Sequence, residues 1–153
     1  MDVTYINPFI TSTISTFKTM LNTDVKPGKI SLKKGNDPSY DVSGIIGLSG
    51  EATGAVSISF PKLVALKVVS TMLGITLKII GPDITDGIGE IANIIAGNAK
   101  QDLTQFKLNI SLPNVIIGQN HCISRPSNAP ALIVPFDSCL GNFAMEITLE
   151  TKK

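Results

Sequence analysis

Residues 40–60 read "YDVSGIIGLSGEATGAVSISF", two β-rich runs joined around the glycine-flanked "SGEATG". In the second run Val56, Ile58 and Phe60 alternate with Ser57 and Ser59, the period of two that marks a half-buried strand. The two runs predict a hairpin, with Gly44 and Gly47 either weakening the first strand or marking a bulge. A helix follows at once, from Pro61 to about Leu73. Its apolar stripe is Leu63, Leu66, Val69, Met72 and Leu73, and Gly74 is its stop. Two strands in succession, with no helix between them, fit poorly with a parallel βαβ sheet.

The remaining segments keep to that grouping. Asn7 is the expected N-cap of a first helix, with Pro8 at its first position. Ile10, Ile14, Phe17 and Leu21 recur at helical spacing, Thr11, Ser15, Lys18 and Asn22 take the other face, and "DVKPGK" breaks the helix. "KISLKK" predicts a short edge strand closed by the turn-like "GNDPS". After "ITLKIIGP" a third helix is expected from Asp83, whose carboxylate can cap the N–H near Asp86, to about Phe106. "LNISLPNVIIG", "APALIVPFD" and "NFAMEITLE" then predict strands, the last two joined by "SCLGN". In the last strand Phe143, Met145, Ile147 and Leu149 share one side. The prediction is an α+β fold: an antiparallel or mixed sheet with helices packed on it, in a pseudo-repeated helix–strands–helix layout without a residue-level repeat. At 153 residues the chain, 1–153, fits one domain with room for a full core.

Composition removes several functions. The net charge is +1, the basic pairs are only Lys33-Lys34 and Lys152-Lys153, Arg125 is the sole arginine, and there is no Trp. This argues against nucleic-acid binding. No apolar run approaches the ~18–20 residues that span a bilayer, and Asp2 stands where a secretion signal would carry positive charge, so a cytoplasmic location is the default. Cys122 and Cys139 are isolated and are expected to be buried or half-buried thiols. His121, the only histidine, sits beside Cys122 in loop-like sequence. A catalytic Cys–His pair normally meets in space from separate segments, so the adjacency is read as chance. A content of 43% hydrophobic residues agrees with burial of surface against a second copy.

The third helix carries the only polar chemistry of note. At about 100° per residue, Ile84, Ile88, Ile91, Ala92, Ile95, Ala99, Leu103 and Phe106 form a broad core side. Asp86, Glu90, Asn93, Gly97, Gln101 and Thr104 form a narrow opposite strip, with Ile94 at its border. Glu90 and Asn93 are neighbours on that strip, with Cβ atoms ~5–6 Å apart. Gly89 and Gly97 bracket the pair although each costs the helix ~1 kcal/mol relative to Ala. They admit either a neighbouring element of the same chain or a partner protein, and spacing by itself favours the first. An acid and an amide on a helix surface are, by themselves, an ordinary solvated face.

The longer string "DGIGEIANIIAGNAK" resembles the signature helix of the CheC/CheX/FliY family of response-regulator phosphatases, whose pattern is G-E-x-x-N followed by A-G. "SGEATGAVSISFPKLVALKVVSTMLG" resembles that family's hairpin running into a helix, "INPFITSTISTFKTML" its opening helix, and "PNVIIGQN" its strand after the signature helix. The resemblance covers most of the chain. Neither the first helix nor the helix after Pro61 carries a second E-x-x-N, and a single motif on a chain of this length is most like the CheX branch. The resemblance implies a homodimer that dephosphorylates the phosphoaspartate of a CheY-type response regulator. Glu90 would pair with the regulator's lysine and Asn93 would hold the attacking water. Asp86, Gly89, Ile94 and Gly97 would be partner contacts, and the divalent metal (Mg) would sit on the regulator, with no cofactor in the phosphatase. A non-catalytic adaptor of the same fold is the competing reading.

Overall fold

A computed structural model describes residues 3–33, 40–119, 121 and 130–151. The elements are α1 (Asn7–Leu21), β1 (Val25–Pro27), β2 (Ser31–Leu32), β3 (Val42–Gly50), β4 (Ala52–Phe60), α2 (Lys62–Leu73), α3 (Pro82–Asp102), β5 (Leu108–Ile110), β6 (Asn114–Ile117), β7 (Leu132–Ser138) and β8 (Phe143–Thr151). The strands form a single sheet in the order β1-β7-β8-β4-β3-β5, with β2 also on β7 and β6 also on β3. Every described pairing is antiparallel. The α+β class and the grouping of strands are therefore as the sequence predicts. The predicted hairpin is β3–β4, in continuous register from Val42↔Phe60 to Leu48↔Gly54.

Alternation sets which side chains meet the helices. Val42, Gly44 and Ile46 point to the helical side, and on β8 Phe143, Met145, Ile147 and Leu149 are all buried, as expected. Phe143 stacks between Phe17 of α1 and Phe136 of β7, with ring centroids at 4.7 and 5.1 Å, and lies 5.1 Å from Phe60. Each such side chain contributes ~1.5–3 kcal/mol on burial.

Part of the opposite sheet side is buried as well. Ser43, Ser57 and Ser59 are inaccessible, so Ser57 and Ser59, which the alternation sets on the open side of the strand, do not face water. Ser43 bonds Ser59 across the strands, and His121 reaches in, with Nε2 2.7 Å from the Ser43 hydroxyl and Nδ1 2.8 Å from the Gly118 carbonyl. Lys33 pairs with Glu146 at 2.7 Å, its own side chain nearly inaccessible. Ser43 and Ser59 can line this side because each finds a partner there.

Several local expectations are corrected. Asn7 and Asp83 are not caps: both lie inside their helices, whose N-cap residues Ile6 and Gly81 make no side-chain cap bond. The buried face of α1 is Phe9, Ser12, Thr13, Thr16, Phe17 and Leu21, whereas Ile14 is exposed and Ile10 only partly buried. Ser12 buries against α3, its hydroxyl donating to the Ile95 carbonyl at 2.7 Å, and Thr13 buries against the sheet, its hydroxyl donating to the Phe9 carbonyl at 2.8 Å and lying 3.7 Å from Met145 Sδ. On α2 the buried set is Val64, Ala65, Leu66, Val68 and Val69, with Leu63 and Leu73 exposed. Helix α1 ends at Leu21 on Asn22, which takes the left-handed conformation (φ 49°), before "DVKPGK", and that segment instead supplies β1, a strand that the local pattern does not predict. Gly44 and Gly47 mark no bulge in the hairpin. Helix α3 ends at Asp102, short of Phe106. Cys139 is exposed, in the turn between β7 and β8. Cys122 and the "GNDPS" turn lie outside the described residues.

Candidate functional site on helix α3

Helix α3 is fixed from three directions. Below it, β3 comes so near that a Cβ on Gly44 would stand 3.0 Å from the Ala92 methyl and 3.1 Å from Ile88 Cγ2. On one flank α1 is tied to it by the Ser12–Ile95 hydrogen bond. On another, α2 presses into the gap left by Gly87, where a Cβ would meet the Val69 methyls at 2.7 and 2.9 Å. Ile84, Ile88, Ile91, Ala92, Ile95, Ala99 and Leu103 are buried, as the helical wheel predicts, and Phe106 is partly buried beyond the helix end. The remaining face is the polar strip, with Asp86, Glu90 and Asn93 exposed to solvent.

That strip forms one wall of a groove of about 500 Å³ lined by Thr85, Asp86, Gly89, Glu90, Asn93, Pro113, Asn114 and Val115. The opposite wall is the start of β6, and Gly89 closes the bottom, where an added Cβ would stand 3.5 Å from Pro113 Cγ and from Val115 Cγ2. Gly89 is therefore buried between elements of its own chain. Gly97 is different: nothing lies within 4 Å of where its Cβ would be. Ile94 is half-buried, and neither it nor Gly97 lines the groove. The structure thus gathers Asp86, Gly89, Glu90 and Asn93 and leaves Ile94 and Gly97 at the margin.

Sequence reasoning missed Thr85 and the Pro113–Val115 wall. A signal for the wall was present in the proline of "SLPNVIIG", since a proline inside a strand-like run indicates an edge or a bulge. It also missed Gly87, the helical glycine that its own chain requires.

The groove's chemistry is acidic. Asp86 and Glu90 line it with no Lys or Arg among the described lining residues, so it offers a free phosphate anion only repulsion. Among the described residues no group of three or more His, Cys, Asp or Glu could hold a metal ion. The Ser43–His121 contact resembles a nucleophile and its base, but Ser43 is wholly inaccessible and lies on the sheet side away from α3. What the groove offers is two carboxylates, Asp86 and Glu90, and two carboxamides, Asn93 and Asn114, suited to meeting a cation and orienting a small polar molecule.

The comparisons with known proteins agree with the expected family. Residues 42–137 match the family model described as chemotaxis phosphatase CheX. The chain is 29% identical over 123 residues to the CheY-P phosphatase CheX of Thermotoga maritima, covering 78% of this chain and 79% of that protein. Among solved structures, a CheC-like superfamily protein from Shewanella sp. PV-4 superposes with a TM-score of 0.90 at 38% identity, covering 98% of this chain and 99% of its own. The CheX of Borrelia burgdorferi, solved in a complex with CheY, BeF3 and Mg, superposes with a TM-score of 0.83 at 30% identity, covering 95% and 97%. No described helix is long and apolar enough to cross a membrane. With its fold, its signature helix and these matches in accord, the chain belongs to the CheX family of chemotaxis phosphatases.

Proposed function

We infer that this protein hydrolyses the phosphoaspartate of a phosphorylated CheY-type response regulator, with Glu90 as the docking carboxylate and Asn93 as the residue that orients the attacking water. The observation that carries the assignment of residues is the setting of α3. A helix braced on three sides presents these two groups in an acidic groove, beside Thr85, Asp86 and Asn114. The family membership and the complex of the Borrelia burgdorferi relative with CheY support the partner.

The chemistry fits such a sparse site. Phosphoryl transfer has a loose transition state, so catalysis is mostly positioning and charge stabilisation. An acyl phosphate carries a good leaving group, which removes the need for a strong base. A carboxamide both donates and accepts hydrogen bonds and can hold a water in line without taking its proton. The anionic groove becomes an advantage once the regulator brings its own lysine and divalent metal: Glu90 then faces a cation, and Asp86 adds to the attraction. We assign the metal to the regulator and no cofactor to the phosphatase. We assign the reaction to the cytoplasm, where response regulators act.

A homodimer is part of the same proposal. Ile116 and Ile117 are exposed at 36% and 49% on β6. Among the described residues β6 pairs only with β3, and its other edge can pair with a strand of a second copy.

The test is the decay of a phosphorylated receiver domain with and without the protein. The parent is expected to accelerate it. Asn93→Ala is expected to keep binding and to lower the catalysed rate about 100-fold, the scale of lost positioning. Near-parental turnover by that variant overturns the role of Asn93. Binding without acceleration by the parent assigns the chain to an adaptor.

A further inference from the structure

The outer rim of the groove holds a second feature. Strands β5 and β6 both pair with β3, but in different registers. Leu48 faces Ile110 in one and Ile45 faces Asn114 in the other, so Leu112 and Pro113 together stand opposite the single residue Ile46. This is a β-bulge, with one residue more than the partner strand can match. Pro113 has no N–H to give to β3 and takes the inward place against Gly89. Leu112 is displaced outward and is 85% exposed, more than any other large hydrophobic residue described.

The bulge is tied down. The Ser111 N–H donates to the Gly47 carbonyl at 2.9 Å, the Gly47 N–H donates to the Ser111 hydroxyl at 2.8 Å, and that hydroxyl donates to the Leu112 carbonyl at 2.8 Å. A flexible loop could fold such a leucine back onto the protein. Here the backbone beneath it is held by hydrogen bonds, so Leu112 remains an apolar knob one residue from the groove wall. Single exposed apolar residues are common. One held outward on a bonded bulge, next to a groove built to receive another protein, is not explained by folding.

We infer that Leu112 is an apolar anchor for the phosphorylated response regulator, entering a hydrophobic recess beside the regulator's phosphorylation site while Glu90 and Asn93 engage the site itself. The partner follows from continuity: Leu112 adjoins Pro113, and Pro113 is part of the groove. The inference rests on the phosphatase reading of that groove. A rigid, pre-placed apolar side chain costs little entropy on binding and acts as an anchor among polar contacts.

The test is titration of the full-length protein with a CheY-type receiver domain charged with BeF3 and Mg, together with initial rates on the phosphorylated receiver. Leu112→Asn is expected to raise Kd and KM roughly tenfold, the scale of an interface anchor, and to leave kcat unchanged. Ser111→Ala, which frees the bulge, is expected to raise Kd by a smaller factor. Leu32→Asn, at an exposed leucine near the opposite edge of the sheet, is the control and is expected to change neither. An unchanged Kd in Leu112→Asn overturns the anchor and leaves the phosphatase reading intact. A parent that binds without accelerating decay overturns the phosphatase reading, and Leu112 is then judged on Kd alone. A parent that neither binds nor accelerates decay overturns both. A Leu112→Asn variant that changes the sedimentation coefficient and not the affinity assigns the knob to a second copy and also overturns the proposal.

Discussion

Gly97→Ala is expected to move stability and function in opposite directions. Gly97 sits inside α3 with no atom within 4 Å of the place an added methyl would take, so alanine gains the full helix-propensity difference, about 1 kcal/mol. In a chain of this size that raises Tm by roughly 2–4 °C. Gly87→Ala, earlier on the same helix, is the internal comparison. It gains the same ~1 kcal/mol from propensity, but its Cβ would stand 2.7 and 2.9 Å from the two Val69 methyls and 3.0 Å from Met72 Cε. Val69 is buried and stiff at χ1, so overpacking of ~1–3 kcal/mol applies. The net result lies between no change and a loss of about 2 kcal/mol. Thermal unfolding followed by circular dichroism gives the two signs directly. If the open space over Gly97 is clearance for the regulator, its alanine variant will also bind a BeF3-charged receiver more weakly, by up to about tenfold, or ~1.4 kcal/mol. A lower Tm for Gly97→Ala would refute the steric argument. A higher Tm with unchanged affinity would refute the clearance role.

Two further perturbations probe the same helix. Glu90→Lys is expected to weaken docking with a salt-dependent effect, the variant and the parent converging as ionic strength rises and screening grows; equal affinities for the phosphorylated receiver at low salt would remove Glu90 from docking. Gly44→Ala inserts a methyl 3.0 Å from Ala92 and is expected to cost ~1–3 kcal/mol and to lower kcat although no surface group changes, so an unaltered kcat would show that the seating of α3 on β3 does not govern the site.

Where one physical rule dominates, the sequence was a sufficient guide. Helix α3 meets apolar neighbours on most of its circumference, so its 3.6-residue period separates buried Ile88, Ile91 and Ile95 from exposed Glu90 and Asn93. On α1 the same rule chose Ile10 and Ile14, yet Ser12, against α3, and Thr13, against Met145 of the sheet, are buried in their place. A period reports which residues could face a core; it does not report how near the neighbouring element comes. The second wall of the groove was illegible for a related reason. Pro113 and Val115 reach Gly89 only through the pairing of β6 with β3, a contact between distant segments that no local pattern encodes. The caps failed on geometry: Asn7 and Asp83 are of the right residue type, but the N-cap positions fall earlier in the chain, at Ile6 and Gly81. The far sheet side was misread because alternation assigns serines to water, whereas Ser43 and Ser59 satisfy each other and His121.

The contact beneath Gly44 also bears on how such a site can vary. The height of α3 above the sheet is set by an absent side chain, so the reach of Asn93 toward another molecule is decided at a buried position that no ligand touches. Surface residues around the groove can then change with the partner while the depth of Asn93 stays constant, and a substitution at the strand can shift the groove without altering a single exposed group. In a protein built this way, tolerance for new partners and intolerance for a shifted helix are held in separate layers of the structure.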